Sequence, residues 1–159
     1  LNKLNKNLLL LTKIENKQYS KMEKIHIVPY LKKNLSLYKD LYNKPIQLTN
    51  RNHEDLVITA NASLFDSLFN NLLVNAVHHH TSESAIEICI NKHVLLISNE
   101  SNREKLDKKR LFQRFNNNNG KNRGNGLGLA IVKAICDYHG WKIKYSFENN
   151  KHHFSIIFH

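Results

Sequence analysis

The sequence predicts an α/β sandwich of two layers, with a mixed, mostly antiparallel sheet carrying helices on one face and an N-terminal helix ahead of it. Three observations carry this reading. Two long segments, starting near Asn61 and Leu127, repeat apolar residues at helical spacing. Several short apolar runs, among them "AIEICIN" and "HVLLISN", follow one another with hairpin-length connections. At 159 residues, the chain is long enough to bury a core of its own.

The elements follow in order. "LNKLNKNLLLLTKIENKQYS" places Leu1, Leu4, Leu8 and Leu11 at alternating spacings of three and four. That is the seam of a helix packing against another helix, here the tail of one whose start is missing. Charge and polarity rise from Glu15 to Lys24, so a boundary is expected near residue 20, dividing 1–19 from a domain over 20–159. "VPYLKKNLSLYKDLYNK" sets Leu31, Leu35, Leu37, Tyr38 and Leu41 on a helical period. "PIQLTN" and "DLVITA" are β-type runs flanking a turn at Arg51-Asn52-His53.

"NASLFDSLFNNLLVNAVHHH" predicts a long helix with Asn61 as its N-cap. "AIEICIN" and "HVLLISN" form an antiparallel pair broken at Asn91-Lys92, and "DKKRLFQRF" reads as a short helix. A polar loop, "NNNNGKNRGNG", leads into a helix over Leu127–His139 that stops at Gly140, a C-cap glycine. "WKIKYSF" and "HHFSIIF" close the chain as a hairpin around Glu148-Asn149-Asn150.

Composition excludes several classes. No run of 18 apolar residues occurs and no leader pattern opens the chain, so neither a transmembrane span nor a signal peptide is expected within it. The chain starts at Leu1 and its only methionine is Met22, as expected of a piece of a longer protein. A net charge of +11 invites a nucleic-acid reading. The lysines, however, are scattered among asparagines and gather on no stripe, so no nucleic-acid partner is expected. Cys89 and Cys136 are isolated in apolar segments, like small buried hydrophobes in a reducing compartment. Three consecutive histidines, His78 to His80, point about 100° apart on a helix and do not chelate one ion.

Two motifs carry chemistry. In "GNGLGLAIVKAICDYHG" three alternating glycines, Gly124, Gly126 and Gly128, run straight into a helix. Glycine costs about 1 kcal/mol relative to alanine in regular structure. A requirement for bare backbone explains it: a phosphate approaching main-chain N–H groups at the positive end of a helix dipole. The competing reading is a flexible loop ending in glycine turns. A P-loop is excluded because Asn122 follows Gly120-Lys121, and a dinucleotide fingerprint because Leu129 stands where it needs glycine.

The second motif is "LFNNLLVNAVHH". Ser67, Asn71, Asn75 and His78 share one face of the predicted helix, beside an apolar face of Phe65, Leu68, Phe69, Leu72 and Ala76. Asparagine is a mediocre helix former. Its amide oxygen is a hard ligand suited to Mg²⁺, and a buried hydrogen bond to a loop is the alternative.

Together these segments resemble the catalytic, ATP-binding part of a bacterial sensor histidine kinase, of the GHKL superfamily with its Bergerat-type ATP site, which also holds gyrase, heat-shock chaperones and mismatch-repair ATPases. "NNLLVNAVHH" resembles the N box, "RLFQRF" the F box and "GNGLGLAIVKAICDYHG" the G2 box, while "LNKLNKNLLLLTKIEN" resembles the end of the second dimerisation helix. The resemblance implies that Asn75 holds Mg²⁺ and that Asn71 contacts the phosphate side of ATP. It implies that His78 faces the phosphates, that His79 lies against the purine, and that the backbone around Gly126, Leu127, Gly128 and Leu129 cradles phosphate oxygens. Residues 116–125 would form the ATP lid, Gly124 among them, with Arg114, Lys121 and Arg123 adding positive charge near the γ-phosphate. One box departs from the pattern. Asn99 stands where the family has an aspartate that accepts from the adenine amino group, and Ser101 stands where a glycine is expected. An amide accepts without charge assistance and Ser101 adds a side chain where the loop passes the base, so weakened adenine affinity is expected.

The implied activity is phosphoryl transfer from Mg·ATP to a histidine on the dimerisation domain, outside this chain, for relay to an aspartate of a response-regulator receiver domain. A homodimeric parent, cytoplasmic at this part and anchored or not in a membrane, would follow. An ATP hydrolase would need a carboxylate four residues before Asn75, where Asn71 stands. A nucleotide-sensing or scaffold module without catalysis is the alternative that Asn99 and Ser101 keep open. "HEDL", His53 to Leu56, superficially resembles a phosphoacceptor box, but it precedes a β-run and reads as a surface turn.

Overall fold

The computed structural model of the chain describes residues 2–102, 105–116 and 126–159. Helix α1, Lys3–Glu15, opens it, capped by Asn2, whose side-chain oxygen accepts from the Asn5 N–H at 3.0 Å. It buries Leu11 and Ile14 and lies against α4, Gly128–His139. Strand β1, Glu23–His26, pairs antiparallel with β3, Val57–Ala60, as a two-stranded ribbon with Ile25 opposite Ile58. Helix α2 spans Ile27–Tyr42, and α3 spans Ala62–His79.

The main sheet has five strands in the order β2-β4-β5-β7-β6. These are Ile46–Asn50, Ile86–Asn91, Val94–Glu100, Lys151–Ile157 and Lys142–Glu148 in that order. Only the β2–β4 pair is parallel. The expected mixed, mostly antiparallel sheet is thus the observed one. Period-two alternation sets its buried face: Ile86, Ile88 and Ile90, then Leu95 and Ile97, then Phe154 and Ile156. Phe65 of α3 ties the layers together, with its ring 4.9 Å from Tyr30 of α2, 6.3 Å from Trp141 and 6.4 Å from Phe158. Each such buried side chain stabilises the fold by about 1.5–3 kcal/mol.

Local chemistry sets the ends of the elements. Asn61 caps α3, its side chain accepting from Leu64 N–H at 3.0 Å. Gly140 ends α4 at φ 73°, a left-handed conformation that favours glycine, and Trp141 N–H bonds back to Cys136 O at 2.8 Å. Asn149 and Asn150, at φ 52° and 59°, make the two-residue turn between β6 and β7, where asparagine tolerates the left-handed region. Lys44 donates from Nζ to Val77 O at 2.9 Å and His80 O at 3.1 Å, satisfying carbonyls at the end of α3. Cys89 and Cys136 are both free thiols, and burial pushes Cys136 up to about 12.

One expectation changes, and two features were not read from the sequence. The segment read as a short helix, "DKKRLFQRF", is a run of turns, closed by Arg110 N–H to Asp107 O and Gln113 N–H to Arg110 O at 3.1 Å each. Within it only Leu111 is buried, too little apolar surface to hold a helix face. Strand β1 escapes sequence reading because its four residues bury one side chain, Ile25. The runs flanking Arg51-Asn52-His53 do not pair with each other. β3 instead pairs with β1 and β2 with β4, and Asp55 accepts from Val28 N–H and bonds His26 Nδ1, both at 3.0 Å, beside the β1–β3 ribbon. His53 is exposed beside this link, as expected of a surface turn.

Candidate nucleotide site

The expected polar line of α3 forms. Ser67, Asn71, Asn75 and His78 are half-buried along one side of the helix, while Leu64, Phe65, Leu68, Phe69, Leu72, Leu73, Ala76 and Val77 fill the core. Asn71 donates from Nδ2 to Ser67 O at 2.7 Å, a bond that fixes the amide and leaves Oδ1 to face another element. That element is the start of α4: a Cβ built on Gly128 would stand 3.1 Å from Asn71 Oδ1. A side chain there would have to displace Asn71 by a few tenths of an ångström, so packing as well as any ligand favours glycine. Gly126, at φ 72°, needs glycine for its backbone alone.

α1 and α3 have asparagine caps, whereas the N-caps of α2 and α4, His26 and Leu127, supply no side-chain cap. Ile131 N–H bonds Leu127 O at 2.9 Å, the first closure within the helix. The amides of Gly128, Leu129 and Ala130 therefore lie ahead of that ladder, at the positive end of the dipole. An anion fits such an end.

The far end of the α3 line meets the sheet. His80, just past α3, bonds Ser84 O through Nε2 at 2.7 Å and accepts the Glu100 N–H on Nδ1 at 3.1 Å. Thr81 N–H reaches Glu100 O at 3.0 Å, so the end of α3 is stitched to the end of β5. Next to that stitch Asn99 is 2% exposed, and its Nδ2 has no hydrogen-bond partner among the described residues. Ser101 is 1% exposed, with its N–H bonded to Asn150 O at 2.8 Å. A buried unpaired amide donor costs about 1–3 kcal/mol, which makes Asn99 a residue in need of a partner.

His152 stands opposite Asn99 in the β5–β7 register and is 3% exposed. Its pKa is pushed down to about 4, first by burial and then by His79 and His153. Tyr145 Oη lies 2.7 Å from His152 Nδ1 and accepts from Leu106 N–H at 3.1 Å. All three groups are satisfied when the Tyr145 hydroxyl donates to Nδ1, which puts the His152 proton on Nε2. The Phe147 ring lies 4.8 Å from His152.

The structure thus brings Asn71 Oδ1 to the Gly128 position, puts His79 within electrostatic range of His152, and sets His152 opposite Asn99. It draws Arg114 elsewhere, into an ion pair with Glu15 of α1. Leu127 is buried and Leu129 half-buried at the helix start. Lys121, Arg123 and Gly124, with residues 117–125 of the expected lid, lie outside the described residues. Sequence reading missed His152 and Tyr145. The alternation in "HHFSIIF" already set His152 on the side of Phe154 and Ile156, but only the fold sets that side beside His79. Among the described residues no group of three or more His, Cys, Asp or Glu side chains could hold a metal ion.

A family model described as histidine kinase-, DNA gyrase B-, and HSP90-like ATPase matches residues 60–159. The heme sensor protein HssS of Staphylococcus aureus is 34% identical over 84 residues, which are 50% of this chain and 18% of that protein. The chain thus spans a small part of the length of the curated relatives it matches. Among solved structures, the Acinetobacter baumannii histidine kinase AdeS superposes with a TM-score of 0.76 at 22% identity, over 96% of this chain and 75% of that one. The cytoplasmic segment of histidine kinase QseC gives 0.72 at 15% identity, over 100% and 96%. The mycobacterial sensor histidine kinase MprB gives 0.74 at 16%, over 86% and 97%. These likenesses show the fold.

Proposed function

The chain belongs to the histidine kinase-, DNA gyrase B- and HSP90-like ATPase family, and from that premise we propose that it is the Mg·ATP-binding catalytic domain of a sensor histidine kinase. The observation that carries the reading is the seating of Asn71 Oδ1 against the start of α4, 3.1 Å from where a Cβ on Gly128 would stand. Backbone amides at 128–130 bind phosphate oxygens there. Asn71 lines the phosphate side, and the Asn75 amide oxygen holds Mg²⁺ together with phosphate oxygens and water, the small protein share that Mg²⁺ takes. His78 faces the phosphates, and His79 and Asn99 take the purine. Ser101 sits beside the base, and Lys121, Arg123 and Arg114 supply cationic charge once the last is released from Glu15. The orphaned Asn99 Nδ2 supports a polar ligand at that end.

In this reading a histidine nitrogen of the dimerisation domain attacks the γ-phosphorus, the bond to the β–γ bridging oxygen breaks, and ADP leaves with that oxygen. Positioning and charge neutralisation supply the catalysis. The phosphoryl group then passes to an aspartate of a response regulator. Residues 1–19 are the end of the second dimerisation helix, in a homodimeric parent whose catalytic part is cytoplasmic. Among the described residues no helix is long and apolar enough to cross a membrane.

Radiolabelled ATP tests this. The chain alone binds Mg·ATP and stays unlabelled, because none of its histidines lies in an acceptor helix. Adding the dimerisation domain of the same parent gives acid-labile label on the added piece. Label on the chain alone would overturn the placement of the acceptor. Absence of binding at millimolar ATP would favour the scaffold reading, which the buried Asn99 and Ser101 motivate.

A further inference from the structure

We propose that the face of the main sheet turned away from the helices holds a ligand site of its own, a groove that takes small planar aromatic carboxylates. The groove lies on the other side of the sheet from Asn99 and His152, so this inference does not rest on the nucleotide reading.

Strand register builds the floor. Thr49, Cys89, Leu96 and Ser155 stand opposite one another in a single row across β2, β4, β5 and β7. Alternation turns this row away from Ile88, Leu95 and Phe154, which face the core. At about 4.8 Å per strand gap the row spans roughly 14 Å. Its middle is apolar and half-buried, formed by Cys89 and Leu96 with Val94 next along β5, and its two ends carry hydroxyls. These side chains line a groove of about 490 Å³, inside the range of roughly 300–1,000 Å³ usual for small-molecule sites. A strip of that breadth suits one or two fused rings lying flat.

One end of the groove is cationic. Arg51 and Lys92 both line it there, and neither joins an ion pair among the described residues. Glu87, toward the other end, is already answered by Lys151, whose Nζ lies 3.3 Å from its Oε2. A single amide ties the two cations to one place. Asn52 Oδ1 accepts from Lys92 N–H at 2.6 Å, and Asn52 Nδ2 donates to Lys92 O at 2.8 Å. Arg51, the neighbour of Asn52, bonds Ile90 O through its own N–H at 2.8 Å. Lys92 sits at φ 55°, where glycine or asparagine fits at less cost, and the Asn52 amide holds it there. A guanidinium fork and an ammonium at the mouth of an apolar strip favour an anion. A carboxylate borne on a ring keeps both oxygens near the ring plane, so it reaches that end without leaving the strip. A neutral ring of the same shape gains the strip but not the charge.

The probe is naphthalene-2-carboxylate, with naphthalene-2-carboxamide as its neutral match, each titrated into the whole chain and followed by backbone amide shifts. The expected result is saturable shifts at Cys89, Lys92 and Leu96, half-complete at about 1 mM or below. The amide should bind about fivefold more weakly or worse, the loss of one charged contact. Cys89 supplies a second reading, because it is half-buried on the groove floor while Cys136 is fully buried. Alkylation of Cys89 by iodoacetamide should slow in the carboxylate's presence. With Arg51→Gln and Lys92→Gln combined, both exposed side chains, the carboxylate should bind no better than the amide. Equal binding of carboxylate and amide by the unaltered chain would overturn the inference. Shifts confined to α3 and α4 would overturn it too, as would the absence of saturation by about 10 mM or a double variant that binds the carboxylate as the unaltered chain does. Mg·ATP binding is measured separately on the same sample, so the nucleotide reading and this one fail independently.

Discussion

Gly128→Ala sets two consequences of one methyl group against each other. The glycine is helical, so alanine is allowed by its backbone and gains helix propensity, at most about 1 kcal/mol and less in a first turn. Against that, the new Cβ would meet Asn71 Oδ1 at 3.1 Å, several tenths of an ångström inside ordinary contact. Asn71 cannot yield freely, because its Nδ2 is held by Ser67 O at 2.7 Å. Relief means loosening that bond, worth about 0.5–1.5 kcal/mol net. The two effects nearly cancel, so stability should stay within about 1 kcal/mol of the parent, a shift of about 2–4 °C in Tm for a chain of this size. Binding has no such compensation. The methyl group stands at the helix start proposed to meet phosphate, and Mg·ATP affinity should fall at least about tenfold, or 1.4 kcal/mol. Thermal melts and calorimetry on one preparation read both quantities. Pairing Gly128→Ala with Asn71→Ala should recover part of the stability loss, a favourable coupling expected of residues in contact. Unchanged ATP affinity in Gly128→Ala would refute the claim that bare backbone serves phosphate. A melting temperature lower by ten degrees or more would show that the glycine serves packing alone.

Asn75→Ala should weaken Mg·ATP binding while the melting temperature moves little, since the side chain is half-buried on the polar side of α3; a collapse in melting temperature would mark a structural amide instead. His152 gives a pH prediction. Its folded pKa of about 4 lies below the ordinary 6.5, so the unfolded chain binds the extra proton first. Stability is full above pH 6.5 and is lost as pH falls from there toward 4, by up to about 3 kcal/mol at 1.36 kcal/mol per unit. His139, also lowered by burial, acts in the same direction below 6.5. Urea melts at pH 7, 5.5 and 4.5 should show the loss, and His152→Gln should flatten it. An equally steep profile in that variant would remove His152 as the cause.

Much of the fold could be read from residues whose roles are local. Asn61 caps α3, Gly140 ends α4 and Asn149-Asn150 turns the last hairpin, each by chemistry contained within a few residues. The polar line of α3 was legible for the same reason, because helical spacing alone puts Asn71, Asn75 and His78 together. What escaped depends on distant partners. The wall of Asn99 and His152 joins residues more than 50 apart in sequence, and only strand register shows it. The route of β2 and β3 was hidden likewise, since β3 pairs with β1 and β2 with β4, partners 31 to 40 residues away. The turns of 107–115 were misread because apolar letters at helical spacing do not make a helix when one side chain alone finds a core to enter.

The seat of α1 has a mechanical consequence. This helix lies against α4 and buries Leu11 and Ile14, and the backbone just beyond it is held by Tyr138 of α4, whose hydroxyl donates to Tyr19 O. Glu15 at its end grips Arg114 in the turns that precede the undescribed segment. A twelve-residue helix is a rod of about 18 Å, and the rod that α1 touches begins at Gly128. Torque on α1 from any upstream part would therefore be delivered to the glycine contact with Asn71 without passing through the sheet.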